Sequence, residues 1–443
     1  MTAHRTAIAG AALLGGAGIA TAFAQPIDPA RPTTLMVGVP PGARTDRVDG
    51  ARTGMSPTPL PASELHVEWR APTGVPLDHT PVVDVRGTVY VVSSRGEAIA
   101  IARDGTERWR VPTGTVDPAG PALLSDDTLV VVDTSGETVG VHDGVVRWRG
   151  RFGAPDPAQP GPLPLTDGGV VVTGGHDLVL LDAEGHERAR TVLAEPAAAP
   201  LLWTLGRVVV VGASGTVWTW VPGAEPVRAA TFGARIEGGA ALAGDRTLVA
   251  IIAGRASVAS VDLVRGRPAV TRAIAPGGLW LGPPAVRGGD ATLAILEPTS
   301  ELVVTVDTGG RLLARALLSG HPPPARSDAG APTAGFNVPL IVDLAGTVAF
   351  TTLDGAAGAG ALGAVAEARP TGPPAAERAP TTPPVEAAVE FLPDACPRPA
   401  GLAAVLTAPP PVAGLAPLPP ASFVVACHSG TLVAIGGHSE RSH

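Results

Sequence analysis

Residues 80–112 read TPVVDVRGTVYVVSSRGEAIAIARDGTERWRVP, and their reading decides the fold. Pro81-Val82-Val83 opens a short run at a position where a strand can spare its first N–H. Gly87 turns the chain into Thr88-Val89-Tyr90-Val91-Val92, which is rich in β-branched residues and too short for a helix. Arg95-Gly96 makes the next turn and leads into Ala98-Ile99-Ala100-Ile101-Ala102. Asp104-Gly105 is a hairpin signal, and Glu107-Arg108-Trp109-Arg110 forms the last strand. The two middle runs are apolar almost throughout, so both of their faces need cover. One four-stranded sheet cannot supply it, and the unit must stack against copies of itself.

Those copies follow. The glycine between second and third strands recurs at Gly96, Gly136, Gly175, Gly215 and Gly254, at intervals of 40, 39, 40 and 39 residues. Trp69, Trp109 and Trp148 mark the fourth strand at intervals of 40 and 39; Ala189 and Val227 lie near the equivalent points later. Four short strands in a period near 40 residues predict propeller blades, and no window sustains a helical apolar period. Eight copies are centred on Val89–Val92, Leu129–Val132, Val170–Val172, Val208–Val211, Leu248–Ile252, Thr292–Leu296, Thr347–Phe350 and Phe423–Ala426. The eighth ends after its third strand, Thr431–Ile435. His66-Val67-Glu68-Trp69-Arg70 carries the fourth-strand pattern with no strands before it. Pairing the two would close the ring and remove two exposed edges. The expected fold is an all-β, eight-bladed β-propeller of four-stranded antiparallel blades, closed by an N-terminal strand joining the last blade.

Composition is consistent with this. The chain has 443 residues, 45% of them hydrophobic, with 56 Gly and 48 Pro; the glycines and prolines fall mostly between β-branched runs, as many turns require. Lysine is absent, which rules out a P-loop. A formal charge of −8 and the lack of a basic stripe argue against nucleic-acid binding. Aromatics are 3%, too few to suggest carbohydrate-stacking platforms.

Met1–Arg5 is a short positive region, Ala7–Ala20 an apolar run, and Ala22-Phe23-Ala24 a small-x-small cleavage pattern, so residues 1–24 read as an export signal. The run is too short and glycine-rich for a comfortable membrane span, and no cysteine follows it to carry a lipid anchor. Residues 25–63 are polar, rich in Pro, Arg and Thr, and read as a disordered tether. The propeller is expected over 64–437, with a mobile Ala/Gly/Pro-rich insertion near 356–384 and a disordered tail at 438–443.

The repeat resembles the quinoprotein-type, or PQQ-like, propeller repeat. Pro81-Val82-Val83, Gly87-Thr88-Val89-Tyr90-Val91, Gly96, Ala100-Ile101-Ala102, Gly105 and Trp109 carry the likeness, as do Pro121, Leu129–Val132, Gly136, Gly144 and Trp148. It covers about residues 64–437, strongly over the first four copies. One branch implied by the resemblance is the quinone-dependent dehydrogenases, which hold quinone and calcium in the central channel and show a vicinal cysteine pair. Here the cysteines are Cys396 and Cys427, and the one asparagine is Asn337. The other branch is non-enzymatic, such as the propeller lipoprotein of the outer-membrane barrel-assembly machine.

In an exported chain, Cys396 and Cys427 read as a disulfide bracing the late blades, with two buried thiols as the alternative. His79, His142, His176, His186, His321 and His428 are scattered, without metal-ligand spacing. Asp84, Asp126-Asp127, Asp167 and Asp245 recur before second strands, where turn formation explains them. Trp218 and Trp220 share one face of a strand, packed between blades or serving as a partner anchor; Trp203 and Trp280 lie nearby. No catalytic, cofactor-binding or metal residue emerges. The expected function is an exported, non-enzymatic, monomeric scaffold, periplasmic or extracellular. It would bind an unidentified protein of the cell envelope, with no cofactor, no nucleic acid and no membrane span. The alternatives are a quinone-dependent dehydrogenase with degenerate ligands and an envelope or polysaccharide-binding module.

Overall fold

In a computed structural model, the described residues are 45, 49, 52–56 and 59–438 with interruptions. The longest interruptions are 318–339, 362–388 and 406–420. No helix occurs among the described residues. The strands form eight antiparallel sheets arranged as blades of a propeller. Blade 1 comprises Val82–Val83, Val89–Val92, Glu97–Ile101 and Glu107–Pro112, paired in that order. Every expected second strand is found in its expected place, from Val89–Val92 in blade 1 to Ala421–Cys427 in blade 8.

The apolar middle strands behave as their composition requires. Val89–Val92 and Ala98–Ile101 are buried on both faces, whereas the fourth strand of blade 2, Val145–Arg151, alternates exposed and half-buried. Side chains from neighbouring blades interdigitate. Tyr90, Val92 and Ala100 of blade 1 pack with Leu129, Val131 and Val139 of blade 2. A fully buried valine contributes about 1.5–3 kcal/mol, so these inter-blade layers hold the ring.

Three devices repeat at the seams. The first is a close backbone approach. Gly96 has φ +73°, and the carbonyl of Thr115 sits where its Cβ would be. The amide of Thr113 donates to the Gly96 carbonyl at 2.8 Å, and Phe152 to Gly136, Phe232 to Gly215 and Thr73 to Gly430 do the same. In these four blades the chain leaving the fourth strand therefore folds across the second-to-third turn, which explains the recurrent glycine there. Gly254 lies outside the described residues.

The second device is tryptophan docking. A Cβ on Gly105 would lie 3.0 Å from the Trp69 ring, one on Gly144 3.0 Å from Trp109, and one on Gly185 2.5 Å from Trp148. Each tryptophan thus covers a glycine turn of the next blade; Trp69 and Trp148 also donate their Nε1–H to the carbonyls of Arg103 and Ala183, both at 2.8 Å. At the next seam Ala189 replaces tryptophan, and Gly223 has nothing within 4 Å.

The third device follows the tryptophan. Arg70, Arg110, Arg149 and Arg190 donate to the carbonyls of Ala395, Thr73, Thr113 and Phe152, each just after the fourth strand of the preceding blade. Acidic partners on the same blades hold three of these guanidiniums: Glu97 and Glu107 for Arg110, Glu137 for Arg149, Glu187 for Arg190.

Ser63–Pro72 pairs antiparallel with Thr431–His438, with Trp69 opposite Ala434 and Arg70 opposite Val433, so the ring closes as expected. Three expected boundaries are corrected, the first being that Ser63 and His438, assigned above to the tether and the tail, are paired ends of the closing strands. Residues 52–56 and 59–62, assigned above to the tether, are built into the propeller; Met55–Ser56 pairs parallel with Leu340–Asp343 of blade 7. They escaped notice because they have no apolar periodicity: Met55, Leu60 and Ala62 are buried at irregular spacing, and hydrogen bonds hold Thr53 and Gly54. Ala357–Ala361, assigned to the insertion, is the third strand of blade 7; alanine and glycine there pack as a strand despite their low-complexity appearance. The export signal, the first part of the tether, residues 362–384 of the insertion and residues 439–443 lie outside the described residues.

Gly96→Ala is expected to cost more than Gly206→Ala, although both positions have φ near +73°. Nothing lies within 4 Å of a Cβ at Gly206, so only backbone strain of about 1–2 kcal/mol applies there. Equal shifts of the two urea midpoints would refute the close-approach explanation.

Candidate functional site at the axis and the loop faces

The innermost strands line the axis, because first strands of neighbouring blades lie side by side from blade 8 through blades 1 and 2 to blade 3, and again from blade 5 through blades 6 and 7 to blade 8. The N-terminal segment enters this space. Thr53 and Gly54 accept from the amides of Val286 in blade 6 and Val342 in blade 7, at 2.6 and 2.9 Å. From that side Arg52 reaches across. Its Nε donates to the carbonyl of Leu201, before blade 4, at 3.0 Å, and Nη2 to that of Pro162, before blade 3, at 3.3 Å. Burial pushes the guanidinium down to about 9, which leaves it charged at neutral pH.

The segment is also internally braced. The Asp49 carboxylate accepts from the Thr53 amide at 2.9 Å and the Thr53 hydroxyl at 2.6 Å. The Arg52 amide and the Thr45 hydroxyl donate to the Asp49 carbonyl. Arg52 itself has φ +55°, a conformation that a non-glycine residue adopts at some cost. Beyond Ser56 the chain leaves the axis. The Leu60 amide donates to Asp343 Oδ2 at 2.9 Å, and the Ala62 amide to the His438 carbonyl at 2.7 Å. Sequence reasoning missed this site, and the signal available was faint: a lone aliphatic, Leu60, after a polar run.

In each blade the first-to-second and third-to-fourth turns share one end of the molecule, the hairpin face. Of the recurrent aspartates, Asp84, Asp126 and Asp167 sit there as turn formers, whereas Asp245 carries a buried Oδ1 that makes no turn bond. Asp84 accepts from the amides of Arg86 and Thr88, Asp126 from Thr128 and Asp167 from Gly169, all within 3.1 Å. Asp84 is buried and also takes the Tyr90 hydroxyl at 3.1 Å and the Arg86 guanidinium at 3.1 Å, while Arg86 reaches Asp127 of blade 2 at 3.0 Å. Burial pushes the Asp84 carboxyl up, but the hydrogen bonds from Thr88 and Arg86 outweigh it and hold it below the ordinary carboxylate value. This cluster ties two blades together and leaves no carboxylate pair facing a cleft.

The opposite face holds the cysteines. Cys396 and Cys427 are bonded, with Cα atoms 5.5 Å apart and both side chains buried. The bond joins the connection entering blade 8 to the end of its second strand. His428, next in sequence, pairs instead with Asp78 at 2.5 Å. His79 is partly buried; burial lowers its pKa against the opposing effects of a hydrogen bond to the Pro118 backbone and the Asp78 charge. His142, His176 and His186 engage Asp143, the Leu193 carbonyl and Asp182 separately. His321 lies outside the described residues. Trp220 is fully buried between blades 3 and 4, with Trp203 and Trp218 packed against the same cluster.

A family profile described as outer membrane protein assembly factor BamB matches residues 64–160. Among solved structures the chain is similar to BamB from Moraxella catarrhalis, with TM-score 0.53, 12% identity, and coverage of 86% of this chain and 100% of that one. It is also similar to the quinohemoprotein alcohol dehydrogenase from Comamonas testosteroni, with TM-score 0.60, 12% identity, and coverage of 90% and 81%. The computationally designed protein Ika8 gives TM-score 0.55 at 12% identity, over 85% and 98%. The chain folds as an eight-bladed β-propeller, and its residues 64–160 match that assembly-factor family. No curated protein matches it, and identities this low show shared fold.

The residues at the axis do not fit the quinone and calcium that the resemblance to the dehydrogenase branch implies. Arg52 and the Met55–Ser56 strand occupy the space between inner strands. Among the described residues no three His, Cys, Asp or Glu side chains converge to hold a metal. The cysteines are separated by 31 positions and bonded across blade 8, so they form no vicinal pair.

Two outcomes follow. Closing a 31-residue loop stabilises a chain by about 3–4 kcal/mol, so Cys396→Ser with Cys427→Ser should lower the urea midpoint. An unchanged midpoint would show that the bond contributes nothing. Because the Asp84 pKa is depressed by folding, its contribution is present above the unfolded carboxylate value, about 3.9, and lost as pH falls through the folded value. Asp84→Asn should therefore lower stability at pH 7 and flatten its decline on acidification; an equally steep decline in the variant would count against this assignment.

Proposed function

We propose that this chain is an exported, non-enzymatic propeller that acts, as a monomer, as a protein-binding scaffold of the cell envelope. The observation that carries this reading is the distribution of exposed apolar side chains. Val85, Val145, Leu205, Val221, Val227 and Val264 all lie at the hairpin face, four of them on blades 4 and 5; among the described residues Val192 alone lies at the other end. Leu205 is 63% exposed and has φ +48°. A leucine in a left-handed turn costs about 1–2 kcal/mol relative to glycine and gains no burial here. That placement suits contact with a partner.

The profile match to an outer-membrane assembly factor supports an envelope role, and the apolar run Ala7–Ala20 supports export. No described helix is long and apolar enough to cross a membrane. The misfit of the axial residues to quinone and calcium supports a binding rather than a catalytic role.

Leu205→Asp with Val264→Asp should leave the melting temperature within about 2 °C, since both residues are exposed, and should reduce recovery of the cross-linked envelope partner at least tenfold, roughly a hot-spot effect. Undiminished recovery would remove the hairpin face from the proposal. Dye reduction by the purified chain after addition of quinone and calcium would overturn the non-enzymatic reading, and retention on a glycan array instead of on envelope protein would replace the partner class.

A further inference from the structure

We propose that the axis of the ring is a binding site for an extended, arginine-bearing peptide strand, and that this chain fills the site with its own residues 52–56. The inference is independent of the scaffold reading, which rests on the hairpin face.

The site has the parts of a peptide receptor. One is an inner strand edge, Leu340–Asp343 of blade 7, to which Met55–Ser56 adds as a parallel strand; edge addition is a general mode of peptide capture, giving affinity through the main chain. A second is a pair of inward amides, Val286 and Val342, which donate to the carbonyls of Thr53 and Gly54. The third is a guanidinium pocket across the axis, where the carbonyls of Pro162 and Leu201 accept from Arg52. Arg52 is 2% exposed, so its charge is withdrawn from water, and planar multi-donor geometry suits arginine to such carbonyl pairs better than lysine.

The segment also looks like a ligand rather than like core. Polar contacts hold most of it. Thr45, Asp49, Arg52 and Ser56 are buried polar residues, and of its described side chains only Met55 counts among the buried hydrophobics. Its connection to the ring is short, since the closing strand begins at Ser63. Such a tether gives an effective concentration on the order of millimolar, so a free peptide would not displace the segment from the intact chain.

The test uses the full chain and a fluorescent peptide of residues 45–56, followed by anisotropy. The unaltered chain should not bind it. Full-length Arg52→Ala, whose tethered segment has lost its anchor, should bind the peptide saturably at one per chain. A peptide carrying the same Arg52→Ala change should bind at least about tenfold more weakly, from loss of charged hydrogen bonds. If Arg52→Ala does not fold, Arg52→Lys serves in its place, with the same preference for the arginine peptide expected. A folded variant that ignores the peptide to millimolar concentration, or takes both peptides alike, overturns the proposal.

Discussion

The pairing of Ser63–Pro72 with Thr431–His438 is the contact on which the rest of the ring depends. A row of sheets stacked face to face has two uncovered ends, and each end exposes apolar surface and a strand edge. Sharing one blade between the two halves of the chain removes both. Phe423, Val425, Val433 and Ile435 of blade 8 then share a core with Val83, Val89, Ile99 and Ile101 of blade 1. Closure is therefore a packing event as much as a hydrogen-bonding one.

The seams are not equal. From blade 8 to blade 3 each seam carries a tryptophan over a glycine turn and an arginine on the preceding blade's backbone. Arg70 extends the arginine series to the seam with blade 7, where the disulfide adds a covalent brace. From blade 3 to blade 4 the tryptophan is gone, and packing around Trp220 takes over. Repeat proteins distribute stability over nearest-neighbour interfaces, so one seam can change its device without unsettling the others.

The axial segment ties parts of the ring that are distant in sequence. Hydrogen bonds from residues 52–62 reach blades 3, 4, 6, 7 and 8. The same stretch fills the axis, where the resemblance to the dehydrogenase branch implies a quinone and calcium. Likeness of fold to an alcohol dehydrogenase carries no activity with it, because function resides in sites rather than folds.

The repeat period, the blade count, the closing strand and the partnership of Cys396 with Cys427 were legible in the sequence, because each depends on local alternation, on a turn glycine or on counting. Trp69, Trp109 and Trp148 announced the docking series by their spacing; the arginines beside them were visible but unread, since their acceptors are backbone carbonyls of another blade. Tertiary structure alone decided the place of residues 52–56 and 59–62. That segment has no apolar rhythm, and a polar stretch is indistinguishable from a tether until donors and acceptors elsewhere in the chain are brought around it. Hydrophobic patterning is written along the chain, whereas the hydrogen-bond partners of a buried arginine are assembled only when the ring closes.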